Sequence, residues 1–258
     1  TASIDTYQNG IAKSVEVLAV GAWFPEAVKM LKENPGLDVG IHLALTSEWE
    51  NVKWRPLTDC PTLVDENGYF FPMMGPNPAY PGQSVMENAS KFDIKEIEKE
   101  FRAQIELALK NIPQITHISG HMMSTAYSPE VNALVQKLSK EYNLPSVDRF
   151  DAFEQYDFEY VGYDGPKATA EEKIASFIKM LDKLEKGKRY MFVDHPAYND
   201  SEMQTVMHVG YEDVAVDRQG VTDFLKNSEV NKAIRKRGIK LIDRNTLTKS
   251  LPRGKASA

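Results

Sequence analysis

Residues 37–45 read LDVGIHLAL, and residues 26–36 before them read EAVKMLKENPG. The first run is short, apolar and β-rich. The second is helical over Glu26–Asn34 and stops at Pro35-Gly36, a helix-ending pair. A helix that runs straight into a strand is half of a repeating pattern, and the pattern continues on both sides. Upstream, Lys13–Val20 (KSVEVLAV) reads as a strand. Downstream, Asp93–Lys110 carries Ile94, Ile97, Phe101, Ile105 and Leu109 at spacings of three and four, which mark one face of a helix. Ile115–Ser119 is a strand. Ser128–Tyr142 is a helix with Ser128 as N-cap and Pro129 in its first turn. Ser146–Val147 reads as a short strand, Ala168–Leu184 as a helix and Arg189–Val193 as a strand. Arg218–Arg237 holds one or two helices, and Gly238–Ile242 reads as a last strand. Strands alternating with helices imply a parallel sheet in an α/β fold, either doubly wound or closed into a barrel.

The 258 residues suffice for one (β/α) barrel, and residues 1–258 are expected to form a single domain. Residues 47–92 interrupt the repeat with Trp49, Trp54, Pro56, Pro61, Pro72, Pro76, Pro78 and Pro81. So long an insertion, so rich in aromatics, predicts an ordered lid or subunit contact. A net charge of −6 argues against nucleic acid as the main partner, because phosphate binding calls for a basic surface. No apolar run approaches the roughly 20 residues of a membrane span. The single cysteine, Cys60, cannot form an intrachain disulfide and reads as structural. The compartment stays open between cytoplasm and periplasm.

Of five histidines, three stand at or just beyond the ends of predicted strands: His42, His121 and His195. In parallel α/β folds the loops after the strands gather on one face, and sites form there. Neutral imidazole is a good ligand for zinc and similar ions, and a catalytic site pairs three protein ligands with an open position. Each histidine alone reads more readily as a satisfied polar residue at a strand end than as a ligand; the convergence of three is what raises the metal reading. His117 and His208 are expected to be structural or supporting. No nucleophile elbow, phosphate loop, dinucleotide fingerprint or H-E-x-x-H motif is present.

Several segments together resemble the YdjC/ChbG-like carbohydrate deacetylases. Gly40–Thr46 (GIHLALT) is similar to the family's G-[IL]-H-L-x-L-T element. Arg55-Pro56-Leu57, followed by Pro61–Phe70, resembles its R-P-L…P-S-L-V-D…G-x-F segment. Thr116–His121 (THISGH) stands where the family has T-H-[LI]-D-S-H, and His195–Tyr198 (HPAY) resembles H-P-G-[YF]. Asp217-Arg218 with Leu225 and Ser228–Val230 matches the closing pattern. The resemblance implies a distorted (β/α) barrel of the polysaccharide-deacetylase type. It also implies one divalent metal, zinc or magnesium, on His42, His121 and an aspartate, and hydrolysis of N-acetyl groups on a chitooligosaccharide-like substrate. It implies that His195 gives a proton to the leaving amine, a role that suits histidine, whose unperturbed pKa of about 6.5 lies near working pH. Arg149, Trp49 and Trp54 are candidates for contact with the sugar; for the tryptophans, core packing is the alternative. A homodimer is a further expectation.

Two departures stand out. The family opens with a strand bearing an Asp-Asp pair, one for metal and one as base, and Thr1 falls after that point, so the first strand is expected to be missing from this chain. The usual D-S-H-x-H is here Ser119-Gly120-His121-Met122-Met123. A sugar-binding protein with an impaired site, or a different metal hydrolase such as an esterase or phosphoesterase, would fit the same residues.

Overall fold

A computed structural model describes residues 1–147 and 158–249. Two compact units make up the chain: residues 16–150 with 206–212, and residues 1–15 with 151–205 and 213–258.

The first unit is built on a sheet of order β1-β2-β3, where β1 is Ser14–Val17, β2 is Asp38–Leu43 and β3 is Ile115–Gly120. Strands β2 and β3 run parallel, with Gly40 opposite His117 and His42 opposite Ser119. The register skips Thr116 between Val39 and Gly40, so Thr116 is a bulge. A parallel bridge from Ile118 to Ser146 continues the order, with Ile118 N–H on the Pro145 carbonyl and Val147 N–H on the Ile118 carbonyl. The pleat sends Val39, Ile41 and Leu43 into the core, where all three are fully buried. Helix Ile94–Asn111 packs on β2, burying Ile97, Phe101 and Ile105, as its three-four spacing predicts. Asp93 caps it by accepting from the Lys95 N–H, and Ser128 caps helix Pro129–Tyr142 through the Val131 N–H.

Residues 47–92 hold only short helical turns, yet they are packed: Trp49, Trp54, Phe70, Met73, Met74, Tyr80 and Val85 are all buried. Two carboxylates of helix Ile94–Asn111 fasten the segment. Glu100 accepts from the Leu57 and Thr58 amides and the Thr58 hydroxyl, and Glu96 accepts from the Thr62 amide and hydroxyl.

The second unit is mostly helical. Its sheet has two strands, β4 (Glu159–Tyr160) and β5 (Tyr190–Met191), paired in parallel. Helices Ala2–Asn9, Ala170–Leu181, Val214–Lys226 and Ser228–Lys236 surround a core of Phe177, Val221, Phe224, Val230 and Ile234. Thr169 and Glu172 form a capping box at the start of Ala170–Leu181. The strand expected over 238–242 is absent among the described residues. Gly238 turns left-handed at φ +65°, the Ile239 amide bonds back to the helix at Ile234, and Leu241 and Ile242 stay exposed.

The ladders make an α/β fold with parallel sheets. Among the described residues they pair as three strands and two strands, and do not close the ring of a barrel.

Candidate active site

Strand alternation puts Asp38, Gly40 and His42 on one face of β2, opposite to Val39, Ile41 and Leu43. On β3, His117 and Ser119 are two residues apart and share a face. Glu16 comes from β1. These side chains form one connected polar chain across three strands. Thr116 donates its hydroxyl to Asp38 and lies 2.7 Å from His117 Nδ1. His117 Nε2 lies 2.8 Å from Glu16 Oε1. Ser119 Oγ donates to Glu16 Oε2 at 2.5 Å and lies 2.7 Å from His42 Nδ1. His117 is wholly buried and Ser119 nearly so. Buried polar groups of this kind persist only when each has a partner. Gly40 makes the chain possible: a Cβ there would stand 2.2 Å from Glu16 Oε2 and 2.3 Å from His117 Nε2.

His42 is the penultimate residue of β2 and His121 follows β3, and their rings meet edge to face with centroids 5.4 Å apart. His121 opens a single turn in which Met122 and Met123 take φ of 48° and 69°. Two successive non-glycine residues in that region are strained, and such strain is a common feature of functional sites. Gly120 allows the turn to sit close, since a Cβ there would meet Thr125 Oγ1 at 2.1 Å. Glu48 Oε2 lies 3.0 Å from His121 Nε2. Trp54 sets its ring edge toward His121 at 6.1 Å and donates its indole N–H to the Thr46 carbonyl at 2.7 Å. The structure thus brings together His42, His121 and Trp54 from the sequence-predicted set, all within the first unit.

The pair of facing imidazoles has the chemistry of a metal site, but it is a partial donor set. Among the described residues no group of three His, Cys, Asp or Glu is arranged to hold a metal ion. A third ligand for the expected metal is therefore not found among them.

The other candidates are placed differently. Trp49 is buried and stacks on His208, ring centroids 5.5 Å apart and 24° from parallel. His208 thus has a packing role. Tyr80 donates to Glu50 and accepts from the Val209 amide, and burial pushes its phenol pKa up. His195 belongs to the second unit. Strand β5 ends at Met191, so His195 stands four residues beyond it, with two-thirds of its side chain exposed. Asp194 accepts from the His195 amide at 2.8 Å and from the Tyr163 hydroxyl at 2.5 Å. Burial, then the Asp194 carboxylate, pushes the Tyr163 phenol far up, so it remains a donor. Arg149 lies outside the described residues.

Glu16, Glu48 and the role of Ser119 escape the sequence reading. A signal exists for Glu16: it interrupts the apolar run KSVEVLAV with a carboxylate between two valines.

The YdjC-like protein family matches residues 1–236. The chain belongs to that family. It is 30% identical over 201 residues to a carbohydrate deacetylase of Geobacillus stearothermophilus, covering 76% of this chain and 73% of that protein. It is also 30% identical over 212 residues to carbohydrate deacetylase 1 of Listeria innocua, covering 79% of this chain and 77% of that protein. A solved structure of a putative cellobiose-phosphate cleavage protein from Enterococcus faecalis superposes with a TM-score of 0.74 at 24% identity, over 95% of this YdjC-like chain and 93% of that one. At that identity the likeness concerns the fold.

Proposed function

We propose that this YdjC-like protein is a metal-dependent carbohydrate deacetylase that hydrolyses N-acetyl groups on amino-sugar oligosaccharides. The observation that carries the reading is the meeting of His42 and His121 at the ends of adjacent parallel strands, 5.4 Å apart, in a chain of this family. The names of its aligned relatives support a carbohydrate substrate and a deacetylation. His42 and His121 would be two ligands of one divalent ion, zinc or magnesium, and the third, a carboxylate, is not found among the described residues. When bound, such an ion polarises the amide carbonyl and lowers the pKa of a water. His195, with two-thirds of its side chain exposed, is the candidate for giving the proton to the departing amine. Asp194 holds the His195 backbone, so the ring is presented from a fixed stem. Trp54 shields the His121 side of the site.

The test is acetate release from an N-acetylated chitooligosaccharide, with and without a chelator. Release that the chelator abolishes and zinc or magnesium restores is the expected result. His195→Ala is expected to slow it by about 100-fold or more, the span of general acid catalysis. Sugar binding with no release would instead make this a binding protein on the same fold. Release indifferent to chelator would remove the metal.

A further inference from the structure

We propose that Tyr163 and Thr222 are positioning residues for His195: they clamp the extended segment that carries it, one on each side, so that an exposed ring is presented from a fixed backbone. The assignment rests on the reading of His195 as the proton donor and says how the second unit holds that group.

The segment has no ladder to fix it. Residues 192–199 form neither helix nor strand. Pro196 brings no N–H and confines the residue before it, His195, to extended backbone. Side chains alternate along an extended chain, and here Phe192 and Asp194 turn inward while Val193 and His195 turn outward. The Phe192 ring packs edge-on against Phe177 and Tyr163, with centroids 4.9 and 5.2 Å away. Val193 is 46% exposed, and the side chain of His195 is 66% exposed against 19% for Asp194.

The clamp before His195 is Tyr163. Its hydroxyl donates to Asp194 Oδ2 at 2.5 Å, and Asp194 Oδ1 accepts from the His195 amide at 2.8 Å. That oxygen stands 3.9 Å from His195 Nδ1, too far for a hydrogen bond, so the grip is on the main chain. Tyr163 is itself well held. Its ring lies against Phe192 and Phe224, and the next amide, of Asp164, bonds to the Ser176 carbonyl of helix Ala170–Leu181. Burial and the Asp194 charge keep its phenol protonated, so the donor is permanent.

The clamp after His195 is one turn of helix Val214–Lys226. The Ala197 amide donates to the Arg218 carbonyl at 3.1 Å. The Thr222 hydroxyl, fully buried, donates to the Ala197 carbonyl at 2.8 Å and shares its hydrogen with the Arg218 carbonyl at 3.1 Å. Both main-chain groups of Ala197 are thereby bound to the helix. His195 and Pro196 alone lie between the two clamps. Such fixing matters for a proton donor, because a misplacement of about 1 Å can cost about 100-fold in rate.

The test is nitrogen-15 relaxation of the His195 and Ala197 amides in the full chain, with acetate release from an N-acetylated chitooligosaccharide measured beside it. Both amides are expected near the order parameter of rigid backbone, about 0.85, in the unaltered chain. Tyr163→Phe keeps the ring and removes the hydroxyl, and should drop the His195 amide below about 0.6. Thr222→Val keeps the shape and should do the same to Ala197; Thr222→Ser, which keeps the hydroxyl, should loosen it far less. In Tyr163→Phe and Thr222→Val, kcat should fall by about 10–100-fold with KM within about twofold, the pattern of an interaction felt only in the transition state. Mobile amides in the unaltered chain overturn the proposal, as do amides that stay rigid in both variants or a loss carried by KM alone. Amides that loosen as expected in a chain that releases no acetate uphold the clamp and count against the deacetylase reading, so the two failures are distinguishable.

Discussion

Glu100→Ala tests what fastens residues 47–92 to the sheet unit. The Glu100 side chain is fully buried and accepts four hydrogen bonds, from the Leu57 amide at 3.0 Å, the Thr58 amide at 2.9 Å, the Thr58 hydroxyl at 2.8 Å and Gln104 Nε2 at 2.8 Å. The losses differ among them. Gln104 is itself buried, and its other amide hydrogen is on the Ala44 carbonyl, so truncation strands one buried donor at about 1–3 kcal/mol. The Thr58 hydroxyl can turn to Cys60 Sγ, 2.8 Å away, and contributes little to the loss. The Leu57 and Thr58 amides lie nearer the surface, where water replaces the carboxylate in part, at about 0.5–1 kcal/mol each. The total comes to about 3 kcal/mol, a factor of more than 100 in the population of the detached segment. Glu100→Gln keeps one carbonyl acceptor and should cost less than half as much. Amide hydrogen exchange across residues 47–63 measures detachment directly, and urea unfolding measures the whole unit. Exchange rates in Glu100→Ala within about threefold of the unaltered chain, equivalent to less than 1 kcal/mol, would refute the idea that this carboxylate holds the insertion down.

Gly40→Ala drives a methyl group to within 2.3 Å of both Glu16 and His117. It is expected to cost about 1–3 kcal/mol in urea unfolding and to weaken Zn2+ binding in parallel, and a stable variant with unchanged binding would show that Glu16 has room to spare. Asp5 links three parts of the second unit by accepting from Lys226, Tyr198 and Asn9, and those bonds, Lys226 foremost, lower its pKa from 3.8 to about 2. A depressed carboxylate stabilises fully above its unfolded pKa and loses its effect as pH falls through the folded one. Asp5→Asn should therefore lower thermal stability at neutral pH and lose less than the unaltered chain between pH 3.8 and about 2; parallel acid profiles would remove the clip. Trp54→Phe forfeits the indole bond to the Thr46 carbonyl, about 1 kcal/mol by chemical denaturation, and should slow deacetylation through His121 without abolishing it.

Periodicity and caps made the first unit legible. Helix Ile94–Asn111 and its Asp93 cap, the Ser128 cap and the strands at Asp38–Leu43 and Ile115–Gly120 all follow from local signals that packing reinforces. His42 and His121 were findable because a strand end is a local feature and their resemblance to family motifs is local too. Glu48 was not, and for Glu16 the carboxylate between two valines marks the residue but not its partners. Each acquires its role from a residue more than 70 positions away, and no spacing encodes that. The last strand, expected over 238–242, failed for the opposite reason. Its apolar run was a local signal without a neighbouring strand to bond, and Gly238 turned the backbone onto the preceding helix instead.

The crowding around Gly40 also bears on how this sequence can change over evolutionary time. Glu16 and His117 both press on the space where a Cβ at position 40 would stand. A side chain there becomes tolerable only after both Glu16 and His117 have given way, so the order of substitutions matters. A shorter residue at position 16 in turn removes the carboxylate that Ser119 leans on, and an aspartate at 119 relieves that need. Positions 16, 40, 117 and 119 should thus drift as one epistatic set: lineages that keep an acidic residue at 119 are released from glutamate at 16, and lineages with serine are bound to both glutamate and glycine.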